Sequence, residues 1–179
     1  KSSFLISGRR TYIDVLTRPF MPDDSKGGYY FYDLNAKLNY DFGRKYKVYL
    51  SGYFGRDKFQ FVDSYSYNND SYKSKGGLYW QNATATLRWN HLFTSRIFSN
   101  TSLIYSSYDL NIFNEEKDNY GTYKLNYNSG IRDLAVKYDL EYHVSTKYLL
   151  RAGLQTTNHL FTPSAIIEKD SQTLDRKSV

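Results

Sequence analysis

The chain has 179 residues, no cysteine, a formal net charge of +6 and 33 aromatic residues (20 Tyr, 11 Phe and 2 Trp). The lack of cysteine excludes a disulfide framework, a thiolate metal site and a cysteine nucleophile; the positive charge is dispersed, without the like-charge block of a nucleic-acid binder. An aromatic share of 18% is too sticky for a disordered chain, and no apolar run approaches the length of a membrane-spanning helix. The opening Lys1-Ser2-Ser3-Phe4 carries neither an initiator Met nor a signal-peptide pattern, so the expectation is a piece of a longer protein.

Period-two alternation dominates and predicts seven strands, roughly 3–16, 29–42, 46–61, 78–90, 96–113, 123–142 and 147–161. The clearest runs from Tyr30 to Phe42. Tyr30, Tyr32, Leu34, Ala36, Leu38, Tyr40 and Phe42 alternate with Phe31, Asp33, Asn35, Lys37, Asn39 and Asp41. In 79–89 the pattern is less perfect: Tyr79, Gln81, Ala83, Ala85, Leu87 and Trp89 oppose Trp80, Asn82, Thr84, Thr86 and Arg88. In 133–142, Leu134, Val136, Tyr138, Leu140 and Tyr142 oppose Asp133, Ala135, Lys137, Asp139 and Glu141, and in 148–157 Tyr148, Leu150, Ala152 and Leu154 oppose Leu149, Arg151, Gly153 and Gln155. The facing of 46–61 and 96–113 is ambiguous. Upstream of Gly130 the apolar phase flips to Tyr123, Leu125 and Tyr127, which predicts a bulge or kink there.

Short and long connections alternate. Short turns are predicted near 43–45, 92–95 and 144–146, about fifty residues apart, as in a repeated hairpin. Long loops are predicted over 17–28, 62–77 and 114–121, with a fourth beginning in the polar tail 162–179. One domain, 1–179, is expected, trimmed at one end and elaborated at the other.

Two solvents compete for the apolar face. A second sheet would make a soluble sandwich; lipid would make a transmembrane barrel with a wet lumen. Three features favour the barrel. Several predicted strands exceed the usual five or six residues, and tight turns alternate with large loops. Tyr30/Tyr32 and Tyr40/Phe42 flank Leu34-Ala36-Leu38 at a spacing that brackets the ~25 Å apolar band between aromatic girdles. The opposite row, Asp33, Asn35, Lys37, Asn39 and Asp41, suits water. The fold class expected is all-β: an antiparallel up-and-down meander forming a segment of a large transmembrane β-barrel.

Three runs carry a family resemblance. Ser3-Phe4-Leu5-Ile6-Ser7-Gly8-Arg9-Arg10-Thr11-Tyr12 resembles an early barrel strand of TonB-dependent outer-membrane receptors, in the branch with a carboxypeptidase-regulatory-like extension. Tyr30-Phe31-Tyr32-Asp33-Leu34-Asn35-Ala36-Lys37 and Leu50-Ser51-Gly52-Tyr53-Phe54-Gly55-Arg56-Asp57 resemble the following strands. The resemblance implies a location in a bacterial outer membrane, and a 22-stranded barrel around an N-terminal plug. It also implies contact with membrane lipid, and uptake of a nutrient driven by the energy-coupling TonB protein. The plug and the coupling segment are expected elsewhere in a parent chain. The ligand class stays open between glycan, peptide, siderophore and other cofactor.

No catalytic constellation, phosphate-cradling loop or metal-ligand spacing emerges, and no cofactor is implied. His91 and His143 fall at short turns and His159 near a loop. Glu115-Glu116-Lys117-Asp118 and Asp23-Asp24 could offer oxygen ligands to calcium, but their irregular spacing reads better as solvated loop charge. Ligand-contact candidates are Tyr65, Tyr67, Asn69 and Tyr72, because tyrosine beside amides suits stacking with hydrogen bonding; alternatively they fold the loop onto the barrel mouth. Asp33, Asn35, Lys37, Asn82, Thr84, Thr86 and Arg88 are candidates to face the lumen or plug, or are wall polarity alone. A soluble all-β carbohydrate- or peptide-binding module, and a non-transporting barrel adhesin, are the alternatives.

Overall fold

The computed structural model describes residues 1–22, 25–67 and 70–171, with the side chains of Ser25, Tyr67, Asp170 and Ser171 excepted. Among these, eight strands form one antiparallel sheet in sequence order: β1 (Ser2–Arg10), β2 (Ser25–Asp41), β3 (Tyr46–Tyr67), β4 (Asp70–Thr94), β5 (Ile97–Lys117), β6 (Gly121–His143), β7 (Leu149–Phe161) and β8 (Ser164–Ser171). The short connections are tight. Gly43 adopts φ 114°, a region that favours glycine, and its N–H is held by Asp41 Oδ1 at 2.9 Å. The Thr94 hydroxyl accepts from the N–H groups of Arg96 and Ile97, both at 3.2 Å.

Three expectations change. The first strand stops at Arg10, and Ile13–Leu16 forms one helical turn (α1), with Thr17 Oγ1 donating to Ile13 O at 2.8 Å. Within the predicted loops, residues 62–67, 70–77, 114–117 and 164–171 are strand. β3 and β4 stay paired out to Tyr67↔Asp70, and β5 and β6 out to Lys117↔Thr122. Their residues are polar, but a hairpin ladder satisfies backbone groups whatever the side chains. Finally, no bulge interrupts β6 at Gly130: Asp109 pairs with Gly130 in unbroken register, and the one register shift on β4–β5 lies between Leu92 and Thr94.

β7 and β8 are one edge strand with a pause. Ile131 pairs with Phe161, Asn128 with Ser164, and Gly130 exchanges both backbone hydrogen bonds with Thr162 (2.9 and 3.3 Å). The two residue numbers sum to 292 throughout, so the register never slips. Pro163, opposite Ser129, falls at the position whose missing N–H points away from β6, where proline costs no ladder bond.

Antiparallel partners share a face, so register assigns faces that alternation left open. Leu38, Leu50, Leu87, Leu103 and Val136 form one row, and Ala36, Gly52, Ala85, Tyr105 and Leu134 the next. Both lie on the Leu34 face. No second layer covers it: Leu34, Leu38, Leu50, Leu87 and Leu103 are 44–48% exposed, and Ala135 is the one fully buried apolar side chain among the described residues. A two-sheet sandwich core is therefore absent from the described residues.

The apolar stripe also drifts along the strands. The row through Ala36, central in β2, reaches Asn158 in β7, whereas β7's own stripe of Leu150, Ala152 and Leu154 centres six residues lower, on Ala152 (158 − 152 = 6). Six residues are ~20 Å along a strand, and five strand spacings are ~24 Å across the sheet. The stripe thus runs ~40° off the perpendicular to the strands, within the 35–45° tilt of strands in membrane barrels.

Candidate functional site: two faces that exchange roles

At the short-turn end the Asp33 face is wet. Arg9 Nε donates to Asp33 Oδ2 at 2.6 Å, Arg151 pairs with Glu141 at 3.1 Å, Lys137 with Asp139 at 3.2 Å, and His159 Nδ1 lies 2.7 Å from Asp133. His159 lies within β7, two residues before its end at Phe161. The register brings the other predicted residues of this face together. Asp33 aligns with Gly55 and Asn82, Asn35 with Tyr53 and Thr84, Lys37 with Ser51 and Thr86, and Arg88 joins the row below through Tyr49. On the opposite side, Tyr40, Phe42, Tyr46, Trp89, His91 and Phe93 form an aromatic band, with ring centroids 3.9–6.3 Å apart between neighbours.

Towards the long hairpins the apolar residues change side. Phe31, Trp80 and Leu110 occupy one row of the Asp33 face. Tyr29, Phe59, Leu78, Ile112, Tyr127 and Ala165 occupy the next, and Phe61, Leu125 and Ile167 the one beyond. This wall spans five strand spacings and three rows, ~24 Å by ~13 Å or about 300 Å², the scale at which exposed apolar patches mark binding sites. Phe59, Ile112 and Tyr127 remain 37–41% exposed. Gly76 leaves room for the Phe61 ring, which a Cβ there would approach within 2.6 Å and force to shift. The Tyr29 hydroxyl donates to Asp57 Oδ1 at 2.7 Å, and this hydrogen bond, more than burial, raises the phenol pKa above its ordinary value.

The hairpin tips meet above the wall. Asn119 Oδ1 accepts from the Ser71 N–H (3.2 Å) and hydroxyl (3.0 Å), while its amide donates to Asp70 at 2.9 Å, tying β5–β6 to β3–β4. Tyr65 pairs directly across from Tyr72. With Tyr120 they line a cleft of about 120 Å³, and Tyr72 also borders one of about 320 Å³ with Glu116, Tyr120, Tyr123 and Lys169. Tyr67 pairs with Asp70 in the backbone ladder, while Asn69, like Asp23 and Asp24, lies outside the described residues. Among the described residues no group of three or more His, Asp or Glu side chains is arranged to hold a metal ion.

Sequence reasoning missed the wall itself, although its signal was present. The phase flip seen at Tyr123, Leu125 and Tyr127 recurs at Tyr29/Phe31, Phe59/Phe61, Leu78/Trp80 and Leu110/Ile112. In strands of unbroken register a flip of phase is a change of face.

No protein-family model matches the sequence, and no curated protein matches it. Among solved structures, the chain is similar to the ferric yersiniabactin uptake receptor FyuA from Yersinia pestis, at TM-score 0.53 and 10% identity. That match covers 84% of this chain and 26% of the receptor, so the chain spans about a quarter of that protein's length. Matches to the siderophore receptor PirA from Pseudomonas aeruginosa (TM-score 0.18, 9% identity, 97% of this chain and 42% of that one) and to the KdgM porin in complex with disordered oligogalacturonate (0.16, 10%, 97% and 100%) are too weak to superpose. The likeness to the first establishes the fold as that of an outer-membrane β-barrel wall.

Proposed function

We propose that this chain is a wall segment of an outer-membrane receptor that takes up a nutrient by TonB-coupled transport. The Leu34 face meets lipid at the short-turn half, and the Asp33 face lines a lumen there. Asp33, Asn35, Lys37, Asn82, Thr84, Thr86 and Arg88 form the wet wall against which a plug of the same parent protein would hydrogen-bond. Further strands of that parent pair with β1 and with the β7–β8 edge, because open backbone edges are not tolerated in lipid. The ligand is captured outside the membrane by the aromatic wall and the tip tyrosines Tyr65 and Tyr72.

The exchange of faces carries this reading. A sheet that turns its apolar side outward over one band and inward above it matches lipid around the first half and an enclosed vestibule at the second. The single-layer sheet favours it over a soluble binding module, which would need a second layer under Leu34 and Leu38.

The two tryptophans test the orientation, since Trp89 lies on the Leu34 face and Trp80 on the other. In the parent protein, with tryptophans outside this chain replaced by phenylalanine and the protein reconstituted in vesicles of brominated phosphatidylcholine, the Trp80→Phe variant, which reports Trp89, is quenched. The Trp89→Phe variant, which reports Trp80, is not. Equal quenching, or none, overturns the lipid assignment. Coupling is tested by depletion of a defined nutrient mixture: cells lacking the energy-coupling protein should lose the same uptake as cells lacking the parent gene.

A further inference from the structure

Beyond the transported ligand, the Leu34 face holds a feature at only one rim of its apolar stripe. At the short-turn rim it carries the aromatics Tyr40, Tyr46, Trp89 and His91 beside Val48, Ser99 and Thr101, and no Lys or Arg. At the other rim, the first residue past the apolar stripe is an arginine in three strands: Arg10 after Gly8, Arg56 after Phe54 and Arg132 after Leu134, with Lys58 one row beyond. Arg10 is engaged by Asp14 at 3.0 Å. Arg56, Lys58 and Arg132 make no ion pair among the described residues. The Arg56 guanidinium lies over the Tyr79 ring at 4.6 Å, and its Nε is buried without a hydrogen-bond partner.

Between Arg56 and Arg132 runs a cleft of about 390 Å³. Its floor is the row Arg56, Gln81, Asp109, Gly130 and Thr162, and it stays open because Gly130 has no side chain: a Cβ there would meet Thr162 Oγ1 at 2.6 Å. Asp109 is the carboxylate in the cleft, and its Oδ2 accepts from Gln81 and Ser107, both at 3.2 Å. Arg56 and Arg132 therefore stand against one carboxylate in the cleft lining, with Lys58 one row beyond, leaving a net positive cleft directly above an apolar stripe.

We propose that this cleft binds the phosphorylated headgroup of an outer-leaflet glycolipid whose acyl chains lie along the Leu34 stripe. Arginine matches phosphate geometry with paired N–H donors, and the tyrosines beside it, Tyr30, Tyr32 and Tyr79, suit the headgroup level. Arg56 and Arg132 are three strand spacings and one row apart, ~16 Å, too far for one phosphate and suited to a headgroup carrying two. The proposal rests on the Leu34 face meeting lipid, which the Trp89 quenching tests separately.

The test uses the parent protein reconstituted in phosphatidylcholine vesicles doped with bisphosphorylated lipid A, with the lipid A retained relative to phosphatidylcholine after detergent extraction reporting enrichment at the protein. The wild-type chain should enrich bisphosphorylated lipid A over phosphatidylcholine, and the dephosphorylated form not at all. Arg56→Gln/Lys58→Gln/Arg132→Gln should weaken that enrichment by about fivefold per charge removed. Arg56→Lys/Arg132→Lys should retain most of it, and Arg44→Gln/Lys45→Gln at the short-turn end all of it. Unchanged enrichment in the triple variant, or equal loss in the short-turn variant, overturns the proposal. Displacement of lipid A by millimolar inorganic phosphate also overturns it, because the site is then one for soluble phosphate. Quenched Trp89 without enrichment sinks the headgroup site while leaving the lipid-facing reading intact.

Discussion

The short-turn and long-hairpin halves of this sheet share every strand from β2 to β6 in a register that shifts only at Leu92/Thr94, beside a short turn, yet they oppose each other in chemistry. In the first, Leu34, Leu50, Leu87, Leu103 and Val136 project to one side and ion pairs such as Arg9–Asp33 and Arg151–Glu141 to the other. In the second, Phe31, Trp80, Phe59 and Tyr127 line the side that was wet below, and Arg56, Lys58 and Arg132 stand on the side that was apolar. A ladder of backbone hydrogen bonds is indifferent to this, since it fixes only which residues share a face. What each face touches is therefore set row by row, and an inversion marks the height at which the surroundings change.

The largest effect that can break the comparison is a charge placed on the stripe. Leu87→Arg should destabilise the membrane-inserted protein by about 2–4 kcal/mol, as arginine does on the lipid face near a bilayer midplane. Thr86→Arg, one residue away on the wet face, should cost less than about 1 kcal/mol. Asn126→Arg, on the Leu34 face but in the long-hairpin half, should also cost under about 1 kcal/mol, because the penalty falls towards the interface. Urea unfolding in lipid vesicles reads all three. Equal penalties at 86 and 87 would remove the distinction between faces, and a large one at 126 would remove the distinction between halves.

Much of the short-turn half was legible in the sequence, because alternation is clear in β2 and β6 and the turns are marked by Gly43, Thr94 and Ser145, whereas the facing of β3 and β5 needed the register. Strand ends were not legible. Residues 62–67 and 70–77 are polar on both faces and offer no period to read, yet pairing across the hairpin holds them extended. The candidate site was half legible. Tyr65 and Tyr72 stood out as loop tyrosines, whereas the wall needed the register to show that phase flips in five strands fall in adjacent rows. The flip at Tyr123–Tyr127 was read as a bulge because a single strand cannot distinguish an inserted residue from a change of face. Its neighbours can.

A smaller effect sharpens the inner half. Phe59→Ser and Tyr127→Ser remove apolar contact area at the centre of the wall without touching the lipid-facing stripe. Each should reduce the parent protein's uptake efficiency from a defined nutrient mixture by about tenfold, the usual cost of truncating one aromatic anchor. The urea midpoint should be unchanged. A Leu103→Ser control reverses the pattern, lowering the midpoint while leaving the uptake per folded molecule intact. If Tyr127→Ser lowers stability and uptake in proportion, the wall is packing rather than a binding surface.

The smallest effect, that of Pro163→Ala, concerns the edge, where the two halves meet at Thr162 and Pro163. The Thr162 N–H donates to Gly130 O at 2.9 Å, whereas the nitrogen of Pro163 points away from β6, to a side where no described strand pairs. Pro163→Ala therefore adds a donor facing outward and should change stability by less than about 0.5 kcal/mol. Thr162→Pro removes a ladder bond and leaves the Gly130 carbonyl unpaired on that side, at a cost of about 1–3 kcal/mol. Amide hydrogen exchange around Gly130 separates the two. Protection of Gly130 and Ile131 should survive Pro163→Ala and fall in Thr162→Pro. If Pro163→Ala instead raises protection in β6, the pause between β7 and β8 is a break in pairing. The wall would then be hinged at the level where its faces exchange roles, instead of running through that level as one rigid strand.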